Sequence, residues 1–112
     1  MQTYNVAYHF ENKEPLVKEI YDGLLTSLRE FGVVTESAKK TSIHLERKTS
    51  FGGVHPRKNH LNLVIRADYE IKSARISKSE QVSKHRFHHT IKLEKVEDVD
   101  EELLDWLKDA YE

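Results

Sequence analysis

The sequence predicts an α+β fold: an N-terminal helix, an antiparallel sheet of four or five strands and a C-terminal helix, with both helices packed on one face of the sheet. Three features carry that expectation. Apolar residues recur every three or four positions between Leu16 and Phe31, and again from Val99 to Tyr111. Between those stretches the period drops to two. The connections are short, which suits antiparallel pairing with one face packed and one wet.

At the N-terminus Tyr4, Val6, Tyr8 and Phe10 alternate with Asn5, Ala7 and His9, the pattern of a short strand or of an arm laid across the core. A helix follows, with Asn12 as its N-cap, Pro15 in the first turn and Gly32 as its stop. Leu16, Ile20, Leu24, Leu28 and Phe31, flanked by Val17, Tyr21 and Leu25, form one amphipathic stripe. Gly23 inside it costs about 1 kcal/mol against alanine and leaves room for close packing. Residues 33–35 offer an edge strand.

Ile43 and Leu45 alternate with Ser42, His44 and Glu46. Phe51-Gly52-Gly53-Val54 then precedes a turn at His55-Pro56-Arg57-Lys58, the glycine pair marking a bulge or bend. Leu61, Leu63, Ile65 and Ala67 alternate with His60, Asn62, Val64 and Arg66. Phe87, His89, Ile91 and Leu93 alternate with Arg86, His88, Thr90 and Lys92. The stretch from Asp68 to Lys84 is polar and shows no strand pattern. In the last helix Asp98 and Glu101 have capping-box spacing, while Asp100 as cap would let Val99 staple onto Leu104. Leu103, Leu104, Leu107, Ala110 and Tyr111 make its apolar stripe, and acidic residues crowd its first turn, where they suit the helix dipole.

A chain of 112 residues fits a single domain spanning 1–112. With no cysteine, disulfides, thiolate chemistry and cysteine-ligated zinc are excluded. No apolar run approaches a membrane span, and Met1 to Tyr4 opens no basic-then-apolar leader, so a cytoplasmic protein without membrane partners is expected.

The net charge of −1 conceals a segregation. Residues 1–38 carry three basic and six acidic side chains, residues 39–95 fourteen and five, and residues 96–112 one and eight. The sheet is therefore basic and the last helix acidic. If helices cover one sheet face, the other presents His44, Glu46, His60, Asn62, Val64, Arg66, Arg86, His88, Thr90 and Lys92. Lysines and arginines there release counterions on meeting a phosphate backbone, so the face is a footprint for nucleic acid or another anionic ligand. Lys40, Arg57, Lys58, Arg66, Arg86 and His88 would supply charge, with His44 and His60 as polar contacts. Two plainer readings compete: a wet face must be polar, and the acidic helix can neutralise the basic middle internally. Interleaved aromatic residues, the mark of a single-strand stacking platform, are missing from the predicted face.

Catalytic signatures are absent, and no cofactor is expected. A small metal-dependent hydrolase, or an enzyme acting on a phosphorylated small molecule, would need His44, His60 and His88, or His9 and His89, to converge. His88 and His89 point to opposite faces of a strand and cannot serve one metal together. His89 falls on the apolar side with Phe87 and Ile91, where a buried, hydrogen-bonded imidazole is expected, and His9 is expected to do the same beside Phe10. Neither a GxSxG elbow nor a phosphate-binding glycine loop is present. Glu46, Asp68 and Glu70 are the only acids on offer for a nuclease-like set. Trp106 beside Leu104 and Leu107 widens the stripe of the last helix enough for a structural role as a homodimer through that helix.

Several positions together resemble an uncharacterised prokaryotic family of small domains that carries a domain-of-unknown-function label, some of whose members are labelled as transport proteins. They are His9-Phe10, Lys40 with Ile43, Phe51, Pro56-Arg57-Lys58 and Leu61, then Arg75-Ile76, Arg86-Phe87-His88-His89, Val99-Asp100, Glu102-Leu103, Trp106-Leu107 and Ala110-Tyr111. The resemblance spans nearly the whole chain and implies one domain. It brings no activity with it.

Overall fold

The computed structural model describes residues 4–112; the reading of a leaderless start at Met1 to Thr3 lies outside them. A 3-10 turn, Ala7–Phe10, leads into helix α1, Pro15–Arg29. Six strands follow: β1 Thr35–Ala38, β2 Ile43–Glu46, β3 Ser50–Pro56, β4 Leu61–Ala67, β5 Ile76–Ser83 and β6 Arg86–Leu93. A second 3-10 turn, Val96–Asp98, precedes helix α2, Glu101–Tyr111. The strands form one sheet in the order β1-β2-β3-β4-β6-β5, every neighbouring pair antiparallel.

The alternation of the middle segment becomes a row across the sheet. Ile43 pairs with Val54, Val54 with Leu63, Leu63 with Ile91 and Ile91 with Ile76. These side chains share one face, and Val17, Ile20, Leu24 and Leu28 of α1 join Leu103 and Leu107 of α2 in the same core. Both helices therefore sit on one side, as the sequence predicts. His89 lies on that packed side and is fully buried. Its Nε2 lies 3.1 Å from the Ile71 amide nitrogen and 3.2 Å from the Tyr69 carbonyl, and its Nδ1 lies 2.9 Å from the Ser79 hydroxyl. His9 is buried as well, its Nε2 lying 2.7 Å from the Lys39 carbonyl.

Tertiary anchors fix the helices. The buried Tyr21 hydroxyl donates to Glu36 at 2.6 Å, tying α1 to β1, and burial pushes its pKa up. Asp100 is the cap of α2, accepting the Leu103 N–H at 3.1 Å, while Asp98 accepts from Glu94 and Lys95 instead. Arg75 grips this corner: one guanidinium nitrogen reaches Asp100 at 2.8 Å and Glu102 at 3.2 Å, and the other reaches the Asp98 carbonyl.

Four expectations need correction. The sheet has six strands, because the polar stretch contains β5, an edge strand exposed along nearly its whole length and so without an apolar alternation to reveal it. The first aromatic run is a 3-10 turn, neither strand nor extended arm. Asn12 does not cap α1; it takes a left-handed φ of 61° in the turn before it, and Glu14 holds the cap position without a side-chain bond. The turn set at His55 begins later, since β3 runs through Pro56.

Gly32 ends α1 for two reasons. Its φ of 149° is open to glycine alone among common residues, and a Cβ there would lie 2.5 Å from the Tyr111 hydroxyl, which donates to the Val33 carbonyl at 3.0 Å. Gly32→Ala is expected to cost about 1–3 kcal/mol, read from the urea midpoint. Adding Tyr111→Phe, which deletes the oxygen that the new methyl meets, should recover part of that loss; no loss in the single variant contradicts this account.

Candidate anion-binding site

Opposite the core, the alternate residues of the strands form an uncovered face. In register across it lie His44, Gly53, Val64, Thr90 and Lys78. One row along, Arg66, His88 and Glu80 are neighbours, and on the other side His55, Asn62 and Lys92. Gly53 has no side chain at the middle of the sheet, so the surface dips there. The resulting depression, about 210 Å³, is lined by His44, His55, Val64, Arg66 and His88 around Gly53. A Cβ on Gly53 would meet nothing nearer than the Ile43 carbonyl at 4.0 Å, so the hollow is open space above the backbone.

Arg66 is the cation of this hollow. It is half-buried, it donates to the Ser50 carbonyl at 3.2 Å, and it has no ion pair among the described residues. Of the carboxylates on this face, Glu80 sits beside His88 and lies 3.9 Å from Lys78, and Glu46 forms no ion pair among the described residues. The imidazoles are held below the ordinary histidine range. For His44 the causes are burial, then the charges of Lys39 and Arg66; for His55, burial, then Arg57; for His88, burial, then Arg66. Near neutral pH they present neutral rings that can donate or accept a hydrogen bond beside a fixed guanidinium.

The expected site residues divide into three groups. His44, Arg66 and His88 meet around the hollow. Lys40, in the β1–β2 turn, and Arg57, Lys58 and His60, in the β3–β4 turn, stand together at one end of the sheet. Arg86 opens β6 at the other end, about 20 Å away at roughly 3.3 Å per strand residue. It lines a cleft between the sheet end and α2 together with Arg66, Asp68, Tyr69 and Asp109, and its charge also bears on His88. No small ligand touches all three groups at once.

His55 is the functional candidate that sequence reading misses, because Pro56-Arg57-Lys58 reads as a turn and draws it in. The available signal was parity: with Val54 in the core, His55 must face away from it.

The histidine sets of a metal enzyme do not converge. His44 and His88 lie on β2 and β6 with β3 and β4 between them, so their strands are about 14 Å apart at some 4.8 Å per step. His60 sits at the turn end, its Nδ1 3.0 Å from Asn59 Oδ1. His9 and His89 are bonded into separate neighbourhoods. Among the described residues no group of three or more histidines and carboxylates is placed to hold a metal ion. The Ser50 hydroxyl donates to the Gly52 carbonyl at 3.1 Å rather than to an imidazole.

Among the described residues no ion pair joins Arg66 or Arg86 to the acidic helix, although Asp109 and Glu112 line the cleft that these two arginines share. Of the cations in residues 39–95, only Arg75 forms ion pairs with the C-terminal acids among the described residues. No helix among them is long and apolar enough to cross a membrane.

A small α+β domain with one packed and one open, histidine-lined sheet face is the class that these features define. The chain belongs to the family described as Domain of unknown function (DUF5655), whose model matches residues 6–112. No curated protein and no solved structure matches it.

Two outcomes follow from this geometry. Gly53→Ala should leave stability unchanged or raise it by up to about 1 kcal/mol, because the methyl enters open space and the unfolded chain loses freedom; a clear loss would mean that the hollow is filled. His44, His55 and His88 bind protons less readily folded than unfolded, so their contribution is present above the ordinary histidine value of 6.5 and declines as pH falls below it. The thermal midpoint should therefore begin to drop below that value, well before the lowered Asp100 carboxyl titrates. His55→Asn should soften the drop, and a midpoint independent of pH down to the carboxylate range contradicts the assignment.

Proposed function

We propose that this domain is a non-catalytic binding module whose open sheet face engages an anionic partner, with a nucleic-acid phosphate backbone as the favoured class. The observation that carries this reading is Arg66, a half-buried guanidinium without a carboxylate ion pair among the described residues, set in a hollow among three imidazoles. Arginine's planar fork suits phosphate oxygens, and a partly desolvated cation gains more from an anion than an exposed one does.

The spacing of the basic groups favours an extended ligand. Phosphates on a continuous backbone can meet Lys40, Arg57 and Lys58 at one end of the sheet, and Arg66, His88 and Arg86 toward the other. The open-face rows hold no phenylalanine, tyrosine or tryptophan, so recognition would be by phosphate rather than by base stacking, with little sequence preference.

An anisotropy titration of a labelled oligonucleotide at increasing potassium chloride tests this. Affinity should fall log-linearly with salt, and Arg66→Gln should weaken binding and reduce the slope by about 1. Gly53→Leu, which fills the hollow, should weaken binding while the fold persists. Mild acidification should strengthen binding as His44, His55 and His88 gain charge. Absence of binding at low salt, or affinity indifferent to salt, contradicts the proposal.

A further inference from the structure

Among the described residues the outer edge of β5 is the longer of the sheet's two free edges: β5 stands last in the strand order, and the opposite edge, β1, spans only Thr35–Ala38. Residues 77–83 of β5 are all exposed. An unpaired edge of this length is a template for another strand, and proteins guard such edges with charges and bulges. Both guards are present. Lys78 and Glu80 face outward on the open side, and the register with β6 shifts at Ser77 and at Val82.

The charges, however, select as well as protect. An antiparallel strand pairing with its own copy has a two-fold axis, and each choice of axis fixes every pair. With the axis through Ser79, Lys78 faces Glu80 of a second copy, and symmetry supplies the same pair again. With the axis through Lys78 or Glu80, like charges face each other. An axis between residues would set open-face side chains against packed-face ones, which strand alternation forbids. Within the regular stretch 78–81, the axis through Ser79 is the one that pairs Lys78 with Glu80.

One further observation agrees with it. Within one chain the Lys78–Glu80 contact is long, 3.9 Å, and both side chains are well exposed, so neither is committed.

We infer that the β5 edge is a self-complementary interface: two copies of this chain join through antiparallel β5 strands, with Lys78 opposite Glu80, into one continuous sheet. The short β1 edge, whose Glu36 is held by Tyr21 and Arg29, stops further growth, so the assembly closes as a dimer. Both open faces then lie on the same side of the joined sheet. The inference stands independently of what those faces bind.

Sedimentation velocity over a micromolar-to-millimolar series of the full chain tests it. The wild type should pass from monomer to dimer. Lys78→Glu should weaken association by about tenfold or more, since each unfavourable pair occurs twice. Glu80→Lys should do the same, and the double exchange Lys78→Glu with Glu80→Lys should restore it. The two exposed side chains leave the fold unchanged when replaced, which circular dichroism checks. A wild type that stays monomeric throughout overturns the inference. So does a dimer indifferent to Lys78→Glu, which would place the contact elsewhere, such as around Trp106 on α2.

Discussion

The pairing of β3 with β4, in which Gly53 faces Val64 and Val54 faces Leu63, is the constraint on which the rest of the structure depends. Strand side chains alternate strictly, so a slip of one residue would turn Val54 and Leu63 to water and push His55 and Arg66 among the leucines. The same register sends Leu63 and Ile65 to the helices and leaves Arg66 beside the hollow over Gly53. Core and candidate site are two sides of one alignment. Burial of the apolar side holds it: removing a fully buried leucine typically costs a domain about 2–5 kcal/mol, and Leu61, Leu63 and Leu93 are all fully buried.

Charge follows the same division. The acids of α2 lie on the helix side, where Asp100 caps its own helix and Arg75 binds Asp100 and Glu102. That clamp satisfies the one basic residue of the middle segment that reaches them. Among the described residues the cations of the opposite face form no ion pair with these acids, and burial, reinforced by Lys39 and Arg66, holds the nearby imidazoles toward neutrality. Each proton taken up by these rings would add positive charge to the face, and an anion placed beside them would make that uptake easier.

What was legible in the sequence tracks how strongly burial writes a pattern. Both helices, the cap at Asp100, and strands β2, β4 and β6 carry one packed face, and their periodicity shows it. β5 has almost no packed face, so nothing in Ser77 to Ser83 distinguishes it from a loop. Asn12 resembles a cap because the same short polar side chain also tolerates a left-handed backbone. At the candidate site, parity placed His44, Arg66 and His88 on the open face. It could not say that they meet, because that depends on β6 lying beside β4 rather than beyond β5. His55 was lost to the proline after it, and the depth of the hollow follows from the absence of a side chain at Gly53.

The most direct measurement is an amide NMR titration of the whole chain with an oligonucleotide at low salt. Shifts confined to the strand residues around Gly53, Val64, Arg66 and His88, and reversed by added salt, are the result predicted here. Shifts centred on α1 and α2, or none at all, would show that this surface is only the wet side of a well-packed sheet.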